Sequence, residues 1–190
     1  MFAQIKNRPK LKWALITLIS FAGLFFLFFG SIYFGLWGKI PSSKELSELQ
    51  QNKASQVLAA NGKLIGKFYI FDRQPIKFEE LPPYLIEALI ATEDARFYEH
   101  DGIDNRSLLR VFFKSILLQD ESAGGGSTIS LQLAKNIYGR KDFGAFGIVI
   151  NKMQEAVIAK RLEDIYSKDE IIELYFNTVP FSDNTYGIES

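Results

Sequence analysis

Four groups of side chains in this 190-residue chain have the types and spacing to do chemistry. Glu93 and Asp94 are adjacent carboxylates at the end of an apolar segment and beside a turn. Partly buried at the lip of a cleft, such a carboxylate can take the proton of a hydroxyl as a new bond forms; a solvated acidic pair is the plainer alternative. Gly124-Gly125-Gly126-Ser127-Thr128 runs into an apolar periodic segment. The free amides and dipole of a helix start attract phosphate, and Lys135, two turns on, could add an ammonium, although glycine runs serve as readily as linkers. Asn151 and Glu155, four apart, share a helix face, and Lys152 pairs with Glu155 at i,i+3, which alone reads as a surface ion pair of little energetic weight. Phe97 and His100, the only histidine, read as structural, with the imidazole bonding backbone near Asp101-Gly102 to hold the Glu93 turn.

Composition excludes several other chemistries. With no cysteine and one histidine there is neither a disulfide framework nor a thiolate or multi-histidine metal centre. The formal net charge is zero, but Lys6, Arg8, Lys10, Lys12 and Lys39 face no acidic residue within positions 1–40. The remainder is therefore mildly acidic, which argues against a nucleic-acid partner.

The elements that must position these groups begin with an anchor. Trp13 to Gly38 carries no charged side chain, and at 1.5 Å per residue it would reach roughly 39 Å, enough to cross a hydrocarbon core of roughly 30 Å. It is too long for the apolar region of a cleaved signal peptide. Basic residues before it place the amino terminus in the cytoplasm, and Trp13, Tyr33 and Trp37 suit an interfacial belt. The expected organisation is a basic tail over 1–12, a transmembrane helix over 13–38, a polar stalk over 39–55 and one globular domain over 56–190.

Within that domain, Asn61-Gly62 between Gln56–Ala60 and Lys63–Phe71 signals a small β-hairpin. After Pro82-Pro83 the period becomes helical, with Leu85, Ala88, Leu89 and Thr92 on one face. Asp104 can cap a helix running to Leu117, and Ser127 or Thr128 caps the next, with Gly139 as its stop. A longer helix spans about Phe146 to Tyr166, and Ser167-Lys168-Asp169-Glu170 is a capping box opening a helix that closes near Phe176. Phe112, Phe113, Ile116, Leu117, Leu118 and the run from Phe143 to Ile150 are more apolar than a small core requires, so one of these segments is a candidate for contact with a bilayer.

Three segments, in order, resemble the signature of family 51 peptidoglycan glycosyltransferases, the polymerase module of class A penicillin-binding proteins and monofunctional transglycosylases. They are Ala91 to Gly102, containing Glu-Asp-x-x-Phe-x-x-His-x-Gly; Gly125 to Asn136; and Asn151 to Glu155 continuing through Ser167 to Asn177 and Tyr186 to Glu189. The resemblance covers roughly residues 56–190. Leu131 stands where the family usually has the first of two glutamines, and Asn151 where it usually has an arginine, with Lys152 the expected substitute. Because the sequence stops just inside the last motif, the chain reads as an amino-terminal fragment of such a module.

What the resemblance implies is a mainly α, lysozyme-like helical domain with a cleft and a lobe dipping into the membrane, acting on lipid II. Glu93 would be the general base of an inverting sugar transfer, and Glu155 a second catalytic acidic group ordering cations about the pyrophosphate. Gly126, Ser127, Thr128, Gln132, Lys135 and Lys152 would bind substrate and pyrophosphate; Asp94, Phe97, His100 and Gly102 would support them. No cofactor is required, and a divalent metal such as magnesium is compatible with the diphosphate. Lipid II, the growing glycan strand, the membrane and other cell-wall synthesis proteins would be the partners, on the outer face of a bacterial inner membrane. A lysozyme-like glycan hydrolase and a non-catalytic glycan-binding scaffold are the rival readings.

Overall fold

The structure is a computed structural model that describes residues 9–48, 55–61, 64–68, 75–111, 125–182 and 185–188. The basic tail before Pro9, Gly62 of the hairpin turn, the apolar residues Phe112 to Leu118, and Ala123-Gly124 lie outside them.

Helix α1 (Pro9–Tyr33) contains a stretch, Lys10–Tyr33, with a mean hydropathy of 2.3, long and apolar enough to cross a membrane. It starts and stops earlier than the expected 13–38. After Tyr33, Gly35 (φ 77°) and Gly38 (φ 125°) take up left-handed conformations, which only a residue without Cβ adopts freely, and the chain turns. The Trp37 indole N–H donates back to Ser31 Oγ at 2.7 Å, closing that turn.

The described part of the expected stalk, 39–48, is instead packed onto the domain, a correction with a simple cause. Helix α2 (Ser43–Ser47), opened by a Ser42/Glu45 capping box, carries Leu46, which is fully buried. Burying one leucine is worth about 1.5–3 kcal/mol, sufficient to dock a short segment whose remaining surface is polar. The Arg161 guanidinium donates to Pro41 O, and Tyr166 Oη donates to Leu46 O at 2.8 Å, so two backbone carbonyls of the segment are satisfied from helix α6 (Gly147–Ile165) and its C-cap.

Strands β1 (Ser55–Leu58) and β2 (Leu64–Phe68) pair antiparallel, with Ser55 opposite Phe68 and an irregularity between Val57 and Leu58. The rest is mainly helical: α3 (Pro83–Glu93), α4 (Asn105–Val111), α5 (Ile129–Tyr138), α6 and α7 (Lys168–Thr178), followed by a short ladder of β3 (Pro180–Ser182) and β4 (Thr185–Tyr186). Local chemistry sets the ends. Pro83 supplies a pre-set φ at the start of α3, Asp104 Oδ1 accepts from the Arg106 and Ser107 amides, and Ser167 and Glu170 complete a reciprocal capping box at α7.

The core lies where α5 packs against α6 and α7, with Ile129, Leu133, Ala159, Leu162, Ile171 and Ile172 all fully buried. Phe97 is buried in the same cluster, and Lys168 Nζ lies 4.2 Å from its ring centroid. Gly102 (φ 87°) lets the loop after α3 press on α6, since a Cβ there would stand 3.1 Å from the backbone carbonyl of Ala159. Asn177 ties the segment before α3 to α7 by accepting from Ile76 N–H and donating to Ile76 O, both at 2.9 Å.

Candidate active site

Glu93 is the last residue of α3 and is exposed. The partial burial expected of it is not found. A helix C-terminus at a domain surface carries its final side chain outward, and a partner rather than enclosure restrains this one. Gln132, on the first turns of α5, donates Nε2–H to Glu93 Oε2 at 2.7 Å, and its own Oε1 accepts from Tyr175 Oη on α7 at 3.2 Å. Burial, and then the nearby Glu93 charge, push the Tyr175 hydroxyl up from its ordinary pKa, so it stays a proton donor.

Glu93 borders a cleft of about 330 Å³ whose lining includes Thr92, Arg96, Arg110, Gly125 to Thr128 and Gln132. The end of α3 and the start of α5 thus face one space. Asp94 does not share the exposure of its neighbour: it is buried, both its oxygens lie 3.0 Å from His100 Nε2, and Oδ2 accepts from Ile129 N–H. Thr128 Oγ1 accepts from Leu131 N–H and donates to Gly102 O at 2.6 Å.

Those bonds correct the expectation of an open phosphate cradle at the start of α5. Two of its first amides, those of Ile129 and Leu131, are engaged within the protein, and a buried carboxylate occupies the positive end of the helix dipole. A buried helix start cannot leave its donors unpaired, so the fold satisfies them. Positive charge at the cleft comes from side chains. Arg110 lines it, Arg96 lines it while pairing with Asp104, and Lys152 Nζ donates to Ser127 Oγ at 2.9 Å on its rim. Lys135 is exposed, one turn beyond Gln132, and is not among the lining residues.

Glu155 lies in a different setting. Its side chain is 4% exposed, with Arg140 Nε at 2.7 Å from one oxygen and Lys152 Nζ at 3.0 Å from the other. The bond to Glu155 raises the Arg140 pKa above its ordinary value. Asn151 is buried and binds backbone: its Oδ1 accepts from Lys141 N–H and its Nδ2 donates to Lys141 O and Gly147 O. It clamps the loop that carries Arg140, so the guanidinium beside Glu155 is delivered from position 140. Leu131 is 6% exposed and belongs to the core, which is why an apolar residue fits there.

Four side chains went unnoticed in the sequence: Tyr175, Arg140, Arg96 and Arg110. Arg96 and Asp104 form a close ion pair, 2.6 Å from Nη2 to Oδ2. Burial alone would push the Asp104 carboxyl up, but Arg96, the Ser107 hydroxyl and the Ser107 amide together hold it well below the usual carboxylate range. The only cue in the sequence was their nearness to the Glu-Asp motif.

A carboxylate on the lip of a polar cleft bordered by cations, in a chain that also carries an apolar amino-terminal helix, defines a site suited to a charged, hydroxyl-bearing substrate. The sequence profile of the transglycosylase family matches residues 61–190. The chain is 38% identical over 156 residues to penicillin-binding protein 1A of Vibrio cholerae, covering 82% of this chain and 18% of the relative. It is 40% identical over 137 residues to penicillin-binding protein 1F of Bacillus subtilis, covering 72% and 18%, and 34% identical over 163 residues to penicillin-binding protein 1A of Escherichia coli, covering 84% and 18%. The chain belongs to the transglycosylase family, and it spans under a fifth of the length of these relatives.

Proposed function

We infer that this protein is a peptidoglycan glycosyltransferase that polymerises lipid II, with Glu93 as general base and undecaprenyl pyrophosphate as leaving group, on a lysozyme-like helical fold. The observation that carries the reading is Glu93 on the lip of the cleft, one oxygen held by Gln132 and the other, among the described residues, left for a substrate. An attacking sugar hydroxyl is a poor nucleophile and needs its proton taken as the bond forms. Arg110 and Ser127 border the same space, with Lys152 bonded to the Ser127 hydroxyl from outside the lining, and together they suit a diphosphate.

Glu155 orders cations directly, since Arg140 and Lys152 occupy its two oxygens, which leaves neither of them for a divalent metal. Its part is to hold Lys152 beside Ser127. Among the described residues no group of three or more His, Asp or Glu side chains could hold a metal ion, and a divalent ion would enter on the diphosphate. Incubating the full-length protein with lipid II should yield glycan polymer, and Glu93→Gln should slow it on the order of 10²–10⁴-fold while leaving fold and lipid II binding intact. Shortening of preformed strands instead would favour the hydrolase, and undiminished polymer from Glu93→Gln would defeat the assignment.

Helix α1 crosses the membrane in this reading, with its amino terminus cytoplasmic and the domain outside. Phe28 of α1 packs against Phe146, with ring centroids 6.0 Å apart, and the neighbouring Ile148 is 81% exposed. An apolar side chain beside the end of a crossing helix is suited to the lipid boundary. Ile148→Glu should weaken residual binding to liposomes when α1 is removed; unchanged binding would count against it.

A further inference from the structure

We propose that Tyr175 is a positioning residue for the sugar transfer, fixing which end of the Gln132 amide faces Glu93. The proposal rests on Glu93 being the base and adds what makes that base usable.

Glu93 has two equivalent oxygens, lies at a helix end, and is exposed, so nothing in its own element aims it. Its restraint is the 2.7 Å bond from Gln132 Nε2. Gln132 is itself a poor anchor, because a primary amide carries a donor and an acceptor at almost the same place and can turn over. Turned over, Gln132 would present its oxygen to the Glu93 carboxylate, lone pairs against negative charge, and the hold on the base would be lost. Tyr175 decides between the two. Its hydroxyl lies 3.2 Å from Gln132 Oε1 and donates to it, which leaves the NH₂ end directed at Glu93.

Tyr175 is well placed for this task. It is 7% exposed on α7, two residues from Asn177, which is clamped to both backbone groups of Ile76. A tyrosine ring has only two rotatable bonds, so its hydroxyl is a fixed point compared with the flexible glutamine. The relay joins three helices, α7 to α5 to α3, across 43 and then 39 residues of sequence. Burial and the Glu93 charge both keep the phenol protonated, and hence a donor.

The test is a pair of matched hydroxyl deletions in the full-length protein. Tyr166 also has a half-buried hydroxyl, donating to Leu46 O, remote from the cleft. Tyr175→Phe should lower kcat for lipid II polymerisation roughly three- to tenfold, the equivalent of one neutral hydrogen bond, with KM unchanged, whereas Tyr166→Phe should leave kcat unaltered. Independently of turnover, the side-chain amide protons of Gln132, assigned by their loss in Gln132→Ala, should exchange slowly in the parent and fast in Tyr175→Phe. Equal kcat for Tyr175→Phe and parent, equal losses in both variants, a rise in KM alone, or unaltered amide exchange would each overturn the proposal. Absence of polymer from the parent would instead overturn the glycosyltransferase reading, and with it the catalytic part of this one.

Discussion

The surroundings of Glu93 and of Glu155 are opposites. Glu93 is exposed and, among the described residues, held by a single neutral donor at one of its two oxygens. Glu155 is 4% exposed and paired at each oxygen with a cation. A group that must gain and lose a proton within one turnover cannot be locked by two charges, whereas a group that must hold a cation in place can. The difference teaches that the two acidic positions, alike on the sequence, are suited to different tasks, which under the proposed function are those of a reacting group and a brace. Loss of the first should cost rate alone, and loss of the second should cost stability.

Glu93→Gln is the largest expected break. Polymerisation should fall on the order of 10²–10⁴-fold, the usual worth of a general base, with an unchanged unfolding midpoint because the side chain is exposed. Glu155→Gln comes next. It sets an amide NH₂ against Arg140 or Lys152 in a buried site and should lower stability by about 1.5–3 kcal/mol in chemical unfolding, with a smaller loss of rate as Lys152 leaves Ser127. If Glu155→Gln matched Glu93→Gln in lost rate while remaining as stable as the parent, the distinction between reacting group and brace would collapse.

Legibility followed the distance over which each feature is made. Caps are written within four residues, so Asp104 at α4, the Ser127/Thr128 pair at α5, of which Thr128 is the cap, and the Ser167/Glu170 box at α7 could be read from residue types alone. The mainly helical character followed from apolar periodicity for the same reason. What could not be read depends on partners brought in by folding. The start of α5 looked like an open anion site because Asp94, which occupies it, is 35 residues earlier. Arg140 reaches Glu155 across 15 residues from a loop with no periodic signal, and Tyr175 reads as one more core aromatic until its hydroxyl is seen on Gln132. The segment 39–55 read as a stalk because it is polar, and in its described part, 39–48, the buried Pro41 and Leu46 overrode that average.

A third carboxylate sharpens the contrast and carries the smallest expected effect. Asp104 on the cleft wall is nearly as buried as Glu155, at 7% side-chain exposure, but it has one cationic partner, Arg96, itself 30% open to water, where Glu155 has two. Its carboxyl is held well below the usual range by Arg96 and Ser107 against the opposing effect of burial. A group whose native pKa is depressed gives its full stabilisation above its unfolded value, roughly 3.9, and loses it as pH falls through the native value. Thermal midpoints followed by circular dichroism from neutral pH downward should therefore stay level to about pH 4 and then decline. Asp104→Asn should begin lower at neutral pH and decline less, so that the two curves approach one another in acid. Part of the decline should persist in the variant, since Glu45, lowered to about 2 by Lys39 and Ser42, and Glu170, lowered by Ser167, titrate in the same direction. Parallel curves would mean that Arg96 and Asp104 meet without coupling, and Arg96 would then rank with Arg110 as a cation available to the substrate.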